Sequence, residues 1–385
     1  MMGKICFVNP TILMKRPIAE LINNVDGYEI GLLCPTEIGQ KLDNSYHFST
    51  SVKRAKIHTY STMKLPFVSY EWPVPLPLFY FKAFKIFKEY DVVHMWVYFY
   101  MSSFWITFAK LFFPRTKLIL TIDTFPGESF SSGKVFDSLF KIYHAVFGWF
   151  VFGIPNTITL YGKSLIPYAK KLGIQLKKTK VAPTGINTGK FDGPYKDIRK
   201  EFNIKKDEIV LLFVGLLLPR KGIDIIIKTI SRLRNKRVKM ILVGDGPDKK
   251  RYENMAKRYQ LQDKIIFTGF RKDVKNFYRS SDIFFFPSRG EGLAGVIMEA
   301  MTCGLPVVTS NIPCTPDLVK NQENGFLCAS ESAKDYAFLL NNLIEDNKTR
   351  TRFGAQSKKS IKSFNWEKSI QNFERLYCNV RHKRV

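Results

Sequence analysis

Glu291 and Glu299 stand eight positions apart in Ser288-Arg-Gly-Glu-Gly-Leu-Ala-Gly-Val-Ile-Met-Glu-Ala-Met-Thr-Cys303. Carboxylates accept hydrogen bonds from sugar hydroxyls, and a Gly-rich turn that opens a helix presents N–H groups to a phosphate. If a helix runs between the two, they lie about 12 Å apart along its axis, at 1.5 Å per residue. That is near the reach from a sugar ring, over a diphosphate, to a ribose. Upstream, Pro219-Arg220-Lys221-Gly222 puts a bidentate cation and a point-like one at another helix start. Alone it reads as an exposed basic turn. Beside the glutamates it reads as a diphosphate clamp. Glu299 parallels the acidic residue that dinucleotide folds use on ribose, or else is a solvent-facing helix residue. Glu291 accepts from the sugar, or else complements a helix dipole. His94 and Asp123 end predicted strands. His94 has the near-neutral pKa that proton transfer wants, while a core role for His94 and a capping role for Asp123 stay open.

The elements that must position these groups alternate in βα order. Lys4–Val8, Tyr28–Leu33, Asp91–Met95, Lys117–Ile122 and Asn156–Leu160 read as strands of a doubly wound sheet. The pattern restarts with a strand at 209–215, helix 222–234, strand 238–243, helix 248–260 and strand 264–268. Asp282-Ile-Phe-Phe-Phe-Pro287 then leads into the Ser288 stretch, and Val307-Val308-Thr309 follows Gly304 and Pro306. Ala333 to Cys378 reads as helices of mixed charge. Val92–Phe113 is long enough for a membrane span, but His94 and Lys110 favour a strand and a buried helix, and Val135–Val151 is read likewise. Pro66, Pro73, Pro75 and Pro77 break an aromatic loop containing Phe67, Tyr70 and Trp72, which packs on the core or faces a lipid or acceptor. Gly162-Lys163-Ser164 is no P-loop, because the upstream glycine it requires falls at Thr157. Turn formers in Val181–Pro194 mark an interdomain connection. Open α/β sheets bind at strand carboxyl ends, so two such domains place the ligand in the cleft between them.

The chain has 385 residues, enough for two domains, and 45% hydrophobic composition, enough for their cores. Six scattered cysteines without a Cys-x-x-Cys pair fit a reducing compartment and offer no zinc site. The start reads as a first strand, not a signal peptide. The formal charge is +27, from 23 basic against 11 acidic residues in 1–190 and 37 against 22 thereafter. A spread excess of this kind fits an anionic membrane surface, phosphorylated substrates or nucleic acid. Lys170, Lys171, Lys177, Lys178 and Lys180 form a run that is a solvated face or a membrane-facing edge.

The motif from Glu291 to Glu299, continued by Ala300-Met-Thr-Cys-Gly-Leu-Pro-Val-Val308, resembles the signature of family-four retaining glycosyltransferases of GT-B fold, the glycosyl transferases group 1. Val214-Gly215, Pro219–Gly222, Val243-Gly-Asp-Gly-Pro247, Phe267-Thr-Gly-Phe270, Asn324-Gly-Phe-Leu327 and Phe364-Asn-Trp-Glu367 extend the likeness over most of the chain. The resemblance implies two Rossmann-like domains facing a central cleft: 1–188 for the acceptor, 189–364 for the donor, and 365–385 as a helix crossing back onto the first. It implies that Lys221 binds the donor diphosphate, Glu299 the ribose and Glu291 the donor sugar, with Gly292, Leu293, Ala294 and Phe270 beside the donor. His94 and Asp123 become the catalytic candidates of the first domain. Leu216 replaces a frequent Arg, leaving that charge to Arg220. Leu293-Ala294 stands for the usual Phe-Gly, and Asp123 for a strand-end His. Asn9-Pro10-Thr11 replaces a Gly-Gly loop, and Pro313–Asp317 a Gly-Gly-Ile-Pro-Glu pattern.

The expected activity is metal-independent, cofactor-free hexosyl transfer from a nucleotide diphosphate sugar, with no covalent protein intermediate. The expected acceptor is a lipid-linked saccharide or other glycan precursor, used by a cytoplasmic enzyme in peripheral contact with an anionic membrane. The rivals are a GT-B epimerase or hydrolase, a basic nucleic-acid binder and a membrane-embedded protein. Against nucleic acid, the cations are not interleaved with aromatics on one element.

Overall fold

A computed structural model describes residues 3–11, 14–39, 52, 54–63, 73–131, 133–235 and 237–381. Pro66, Phe67, Tyr70 and Trp72 of the aromatic loop lie outside the described residues. The chain divides into two compact units: Met1–Glu128, Ser132–Gly185 and Trp366–Val385 form one, Ser129–Ser131 and Ile186–Asn365 the other.

The first unit carries β1 (Gly3–Val8), β2 (Tyr28–Pro35), β3 (Ala55–Tyr60), β4 (Thr62–Met63), β5 (Val74–Pro75), β6 (Val92–Trp96), β7 (Lys117–Ile122), β8 (Thr157–Leu160) and β9 (Thr179–Val181). Seven of these make a parallel sheet ordered β3-β2-β1-β6-β7-β8-β9, while β4 and β5 pair antiparallel. Its central strands are unbroken apolar runs because helices cover both faces; every residue of β6 is buried. The five strands expected here are present to within two residues. The edges β3 and β9 were not anticipated, and for one reason: half-exposed edges carry Lys56, His58 and Lys180, so no apolar run announces them.

After β6 the chain turns into the helix Met101–Lys110, so Val92–Phe113 is a strand and a packed helix, as expected. The Lys110 ammonium is satisfied by the carbonyls of Phe113 and Pro114, at 3.1 and 3.0 Å. The last helix, Trp366–Arg381, belongs to this first unit. Ser369 donates to the Pro183 carbonyl at 2.8 Å. Phe373 and Tyr377 close over Phe7, His94 and Trp96 with ring centroids 5.5 to 6.3 Å apart.

The second unit holds β10 (Ile209–Val214), β11 (Val238–Val243), β12 (Ile265–Gly269), β13 (Ile283–Phe286), β14 (Val307–Ser310) and β15 (Gly325–Cys328), all parallel, in the order β12-β11-β10-β13-β14-β15. Phe213, Phe284 and Phe286 stack across β10 and β13, at 5.5 and 5.8 Å. The points where the chain enters and leaves this unit are tied together: the Ile186 N–H donates to the Phe364 carbonyl at 2.7 Å, and Ile186 bridges Asn365.

Candidate functional site

In the second sheet the chain order reverses between β10 and β13. The loops leaving their carboxyl ends therefore diverge, and such a reversal is where open α/β sheets hold ligands. Both loops carry the singled-out residues. The first turns through Pro219–Lys221 as a single 3-10 turn, then Gly222 adopts φ 72° and starts the helix Ile223–Ile230. A Cβ on Gly222 would fall inside the Pro287 carbonyl, so glycine is what lets the loops touch. The Arg289 N–H donates to the Arg220 carbonyl at 2.8 Å, and Ser288 Oγ to the same oxygen at 3.2 Å. The Arg289 guanidinium forks onto Asp224 at 2.9 and 3.0 Å and reaches Glu331 at 2.8 Å. Its charge is spent on fastening the loops.

This frame brings Lys221, Arg220 and Glu291 together. Lys221 Nζ lies 2.7 Å from Glu291 Oε1 and 5.2 Å from the Phe286 ring centre. The same Oε1 accepts from Ser288 Oγ at 2.5 Å and from Arg220 at 3.3 Å, while Arg220 also donates to the Gly290 carbonyl. The Lys221 and Glu291 side chains are only 13% and 10% exposed, against 41% for Arg220. Burial pushes the Glu291 carboxyl up. The charges of Lys221 and Arg220, with hydrogen bonds from Lys221 and Ser288, outweigh it and hold the group below its ordinary value.

One expectation is corrected here. The helix does not start at Glu291 but at Gly295, running to Thr302, so Gly292, Leu293 and Ala294 form a loop. The distance along a helix axis between Glu291 and Glu299 has no meaning, and Glu291 answers to an ion pair, not to a helix dipole. The physical reason lies in Ala294, whose extended φ −67°, ψ 102° holds the chain out of the helix until Gly295. Ala294 gives no side-chain cap. The amides of Gly295 and Val296 precede the first carbonyl a helix could offer them. Leu293 and Ala294 are buried and Gly292 half-buried.

Glu299 sits mid-helix, half-buried, and accepts from Tyr278 Oη at 3.0 Å. Phe270 is exposed, one residue past β12. Sequence reasoning gave no part to Tyr278, Ser288 or Lys15. Ser288 directly follows the strand-end Pro287, a position that could have marked it. Tyr278 and Lys15 meet partners 21 and 108 residues away, with no local signal. Among the described residues, no three His, Cys, Asp or Glu side chains gather to hold a metal ion.

In the first unit, Asp123 lies just past β7, where it pairs with Lys15 at 2.7 Å and accepts from Thr124 at 3.3 Å. It caps no helix, since the next begins at Lys134. His94 is fully buried. Its Nδ1 meets Tyr377 Oη at 2.8 Å, its Nε2 meets Thr121 Oγ1 at 2.7 Å, and its ring stacks on Trp96 at 4.0 Å. Both nitrogens are engaged, so the acid–base reading of His94 gives way to a structural one: it joins β6 and β7 to the last helix. Burial pushes its pKa well below the ordinary 6.5. The folded chain keeps it neutral while the unfolded chain protonates it. Stability is expected to level off above about pH 6.5 and to fall below it, by up to about 1.4 kcal/mol per pH unit for each such group. His58 and His144 are lowered too, so His94→Gln should flatten the slope of urea midpoints against pH without removing it.

Residues 194–360 match the family described as glycosyl transferases group 1. An uncharacterized glycosyltransferase of Methanocaldococcus jannaschii is 29% identical over 314 residues, covering 77% of each chain. The O-antigen biosynthesis glycosyltransferase WclY of Escherichia coli is 29% identical over 183 residues, 47% of this chain and 50% of its own. That match, like the one to N-acetyl-alpha-D-glucosaminyl L-malate synthase of Bacillus anthracis, spans about half of the relative. HepE of Anabaena, solved with UDP and glucose, shares the fold at TM-score 0.78 and 19% identity, over 98% of this chain and 100% of its own. Sequence match and shared fold agree with what the motifs suggested: residues 194–360 match the group 1 glycosyltransferases, and the chain as a whole is similar to glycosyltransferases and has the GT-B fold.

Proposed function

We propose that this glycosyltransferase moves a hexosyl group from a nucleoside diphosphate sugar onto a lipid-linked saccharide or other glycan precursor. It retains the anomeric configuration, needs no metal ion and works at the cytoplasmic face of a membrane. The observation that carries the donor side is the Lys221–Glu291 pair, fixed at 2.7 Å where the strand order of the second sheet reverses. Glu291 holds Lys221 in place through that pair. Lys221, Arg220 and the amides of Gly295 and Val296 take the charge that builds on the departing diphosphate. That supply of positive charge is the ground for metal independence. Glu299 accepts from the ribose, oriented by Tyr278.

The bond from the anomeric carbon to the diphosphate oxygen breaks while the acceptor oxygen adds to the same face. The acceptor proton passes to the departing phosphate oxygen, so no protein base is consumed. HepE is solved with UDP, which makes uridine diphosphate sugars the donors to try first. The O-antigen role of WclY supports a glycan precursor as acceptor.

Glu299→Ala tests the donor assignment. Losing charged hydrogen bonds to ribose should raise the donor KM roughly tenfold to a hundredfold, measured with a labelled nucleotide sugar. Unchanged transfer would sink it. Release of an epimer or free sugar from donor alone would point instead to an epimerase or hydrolase.

A further inference from the structure

The helix Lys134–Gly153 is apolar on two sides. One side, with Phe140, His144, Gly148 and Val151, is buried in the first unit, and His144 Nε2 lies 2.7 Å from Tyr98 Oη. The other side presents Val135, Leu139, Ile142, Val146 and Trp149, each between 51% and 75% exposed. Their spacing of four, three, four and three residues places all five in one stripe along the outer face, about 21 Å long at 1.5 Å per residue. By length and composition the helix could cross a bilayer. It cannot do so here, because its inner face is already committed to the core.

Positive charge predominates near this stripe, although Asp137 lies in the first turn of the helix and Glu128 pairs with Lys171 at 2.5 Å. From residue 138 to residue 191 the chain contains eight lysines and no Asp or Glu. Lys178 donates to the Gly153 carbonyl at 2.8 Å, tying the lysine run to the end of the helix. Lys134 and Lys141 are exposed on the helix itself.

We infer that the outer face of Lys134–Gly153 is a membrane-docking surface, on which the helix lies in the plane of an anionic bilayer. The five apolar side chains enter the acyl boundary, and the lysines meet the lipid phosphates. Charge selects this occupant over a second copy of the chain, which would set the same lysines against each other. The inference deepens the proposed membrane-side activity by naming the surface, and it can fail without touching the donor site.

The test is flotation of the full chain with phosphatidylcholine vesicles, with and without phosphatidylglycerol, in the absence of nucleotide. Wild type should float with the anionic vesicles and lose binding as salt rises. Ile142→Glu with Trp149→Glu should weaken binding roughly tenfold or more. Lys170→Gln, Lys177→Gln and Lys180→Gln together should remove the preference for anionic lipid. Vesicles should blue-shift the fluorescence of wild type but shift that of Trp149→Phe far less. Thermal shifts with nucleotide sugars report separately on the donor site and on folding, and should be the same in every variant. Wild type that stays unbound, or a double glutamate variant that binds as well, overturns the inference. So does a wild-type dimer that the same variant splits.

Discussion

Lys221→Met is expected to lose transfer by roughly a hundredfold to a thousandfold and to unfold at markedly lower urea. The two losses have separate causes. The first is the missing cation at the leaving diphosphate. The second comes from Glu291, whose carboxylate is only 10% exposed and loses the partner at 2.7 Å. Removing one member of a buried pair costs about 3–5 kcal/mol. Arg220, at 3.3 Å and 41% exposed, remains beside the carboxylate and keeps the cost toward the lower end. Adding Glu291→Gln removes the stranded charge, so the double variant should regain most of the stability and none of the rate. Urea midpoints and initial rates on the three proteins decide it. If Lys221→Met keeps its rate, Lys221 does not serve the diphosphate. If it keeps its midpoint, the ion pair contributes nothing to the fold.

Gly222→Ala should be as damaging, through the backbone alone. At φ 72° an L-residue costs about 1–2 kcal/mol, and the new methyl would meet the Pro287 carbonyl, which is backbone and has nowhere to go. The expected loss is on the order of 3 kcal/mol or more, with transfer falling because the loops holding Lys221 and Glu291 are pushed apart. Gly27→Ala is the control. It has φ 77° with nothing within 4 Å of an added Cβ, so it pays for conformation only. Denaturation midpoints should separate the two variants clearly; equal losses would show that contact between the loops has no energetic weight.

The fold was legible wherever burial on both faces writes an unbroken apolar run. Val238–Val243 and Lys117–Ile122 were anticipated residue for residue. β3 and β9 were not, because an edge strand needs only one covered face and its polar residues mask the pattern. At the candidate site, Arg220, Lys221, Glu291 and Glu299 stand out in the sequence because they follow strands and glycines. The pairing of Lys221 with Glu291 does not, since the two are 70 residues apart and meet only when β10 and β13 become neighbours. The start of the helix at Gly295 was missed for a smaller reason: a single extended residue, Ala294, leaves no mark in composition. His94 shows the opposite limit. A lone strand-end histidine looks the same in sequence whether it faces solvent or, as here, Tyr377 from 283 residues further on.

That last contact bears on the order in which the chain can fold as it is made. All of the second unit, Ser129–Ser131 with Ile186–Asn365, has been made once Asn365 is added. The unit begun first has not, because Phe373 and Tyr377, which cover its Phe7, His94 and Trp96, are still to come. The flank that Phe373 and Tyr377 cover on the oldest strands therefore cannot close until the last helix has been made.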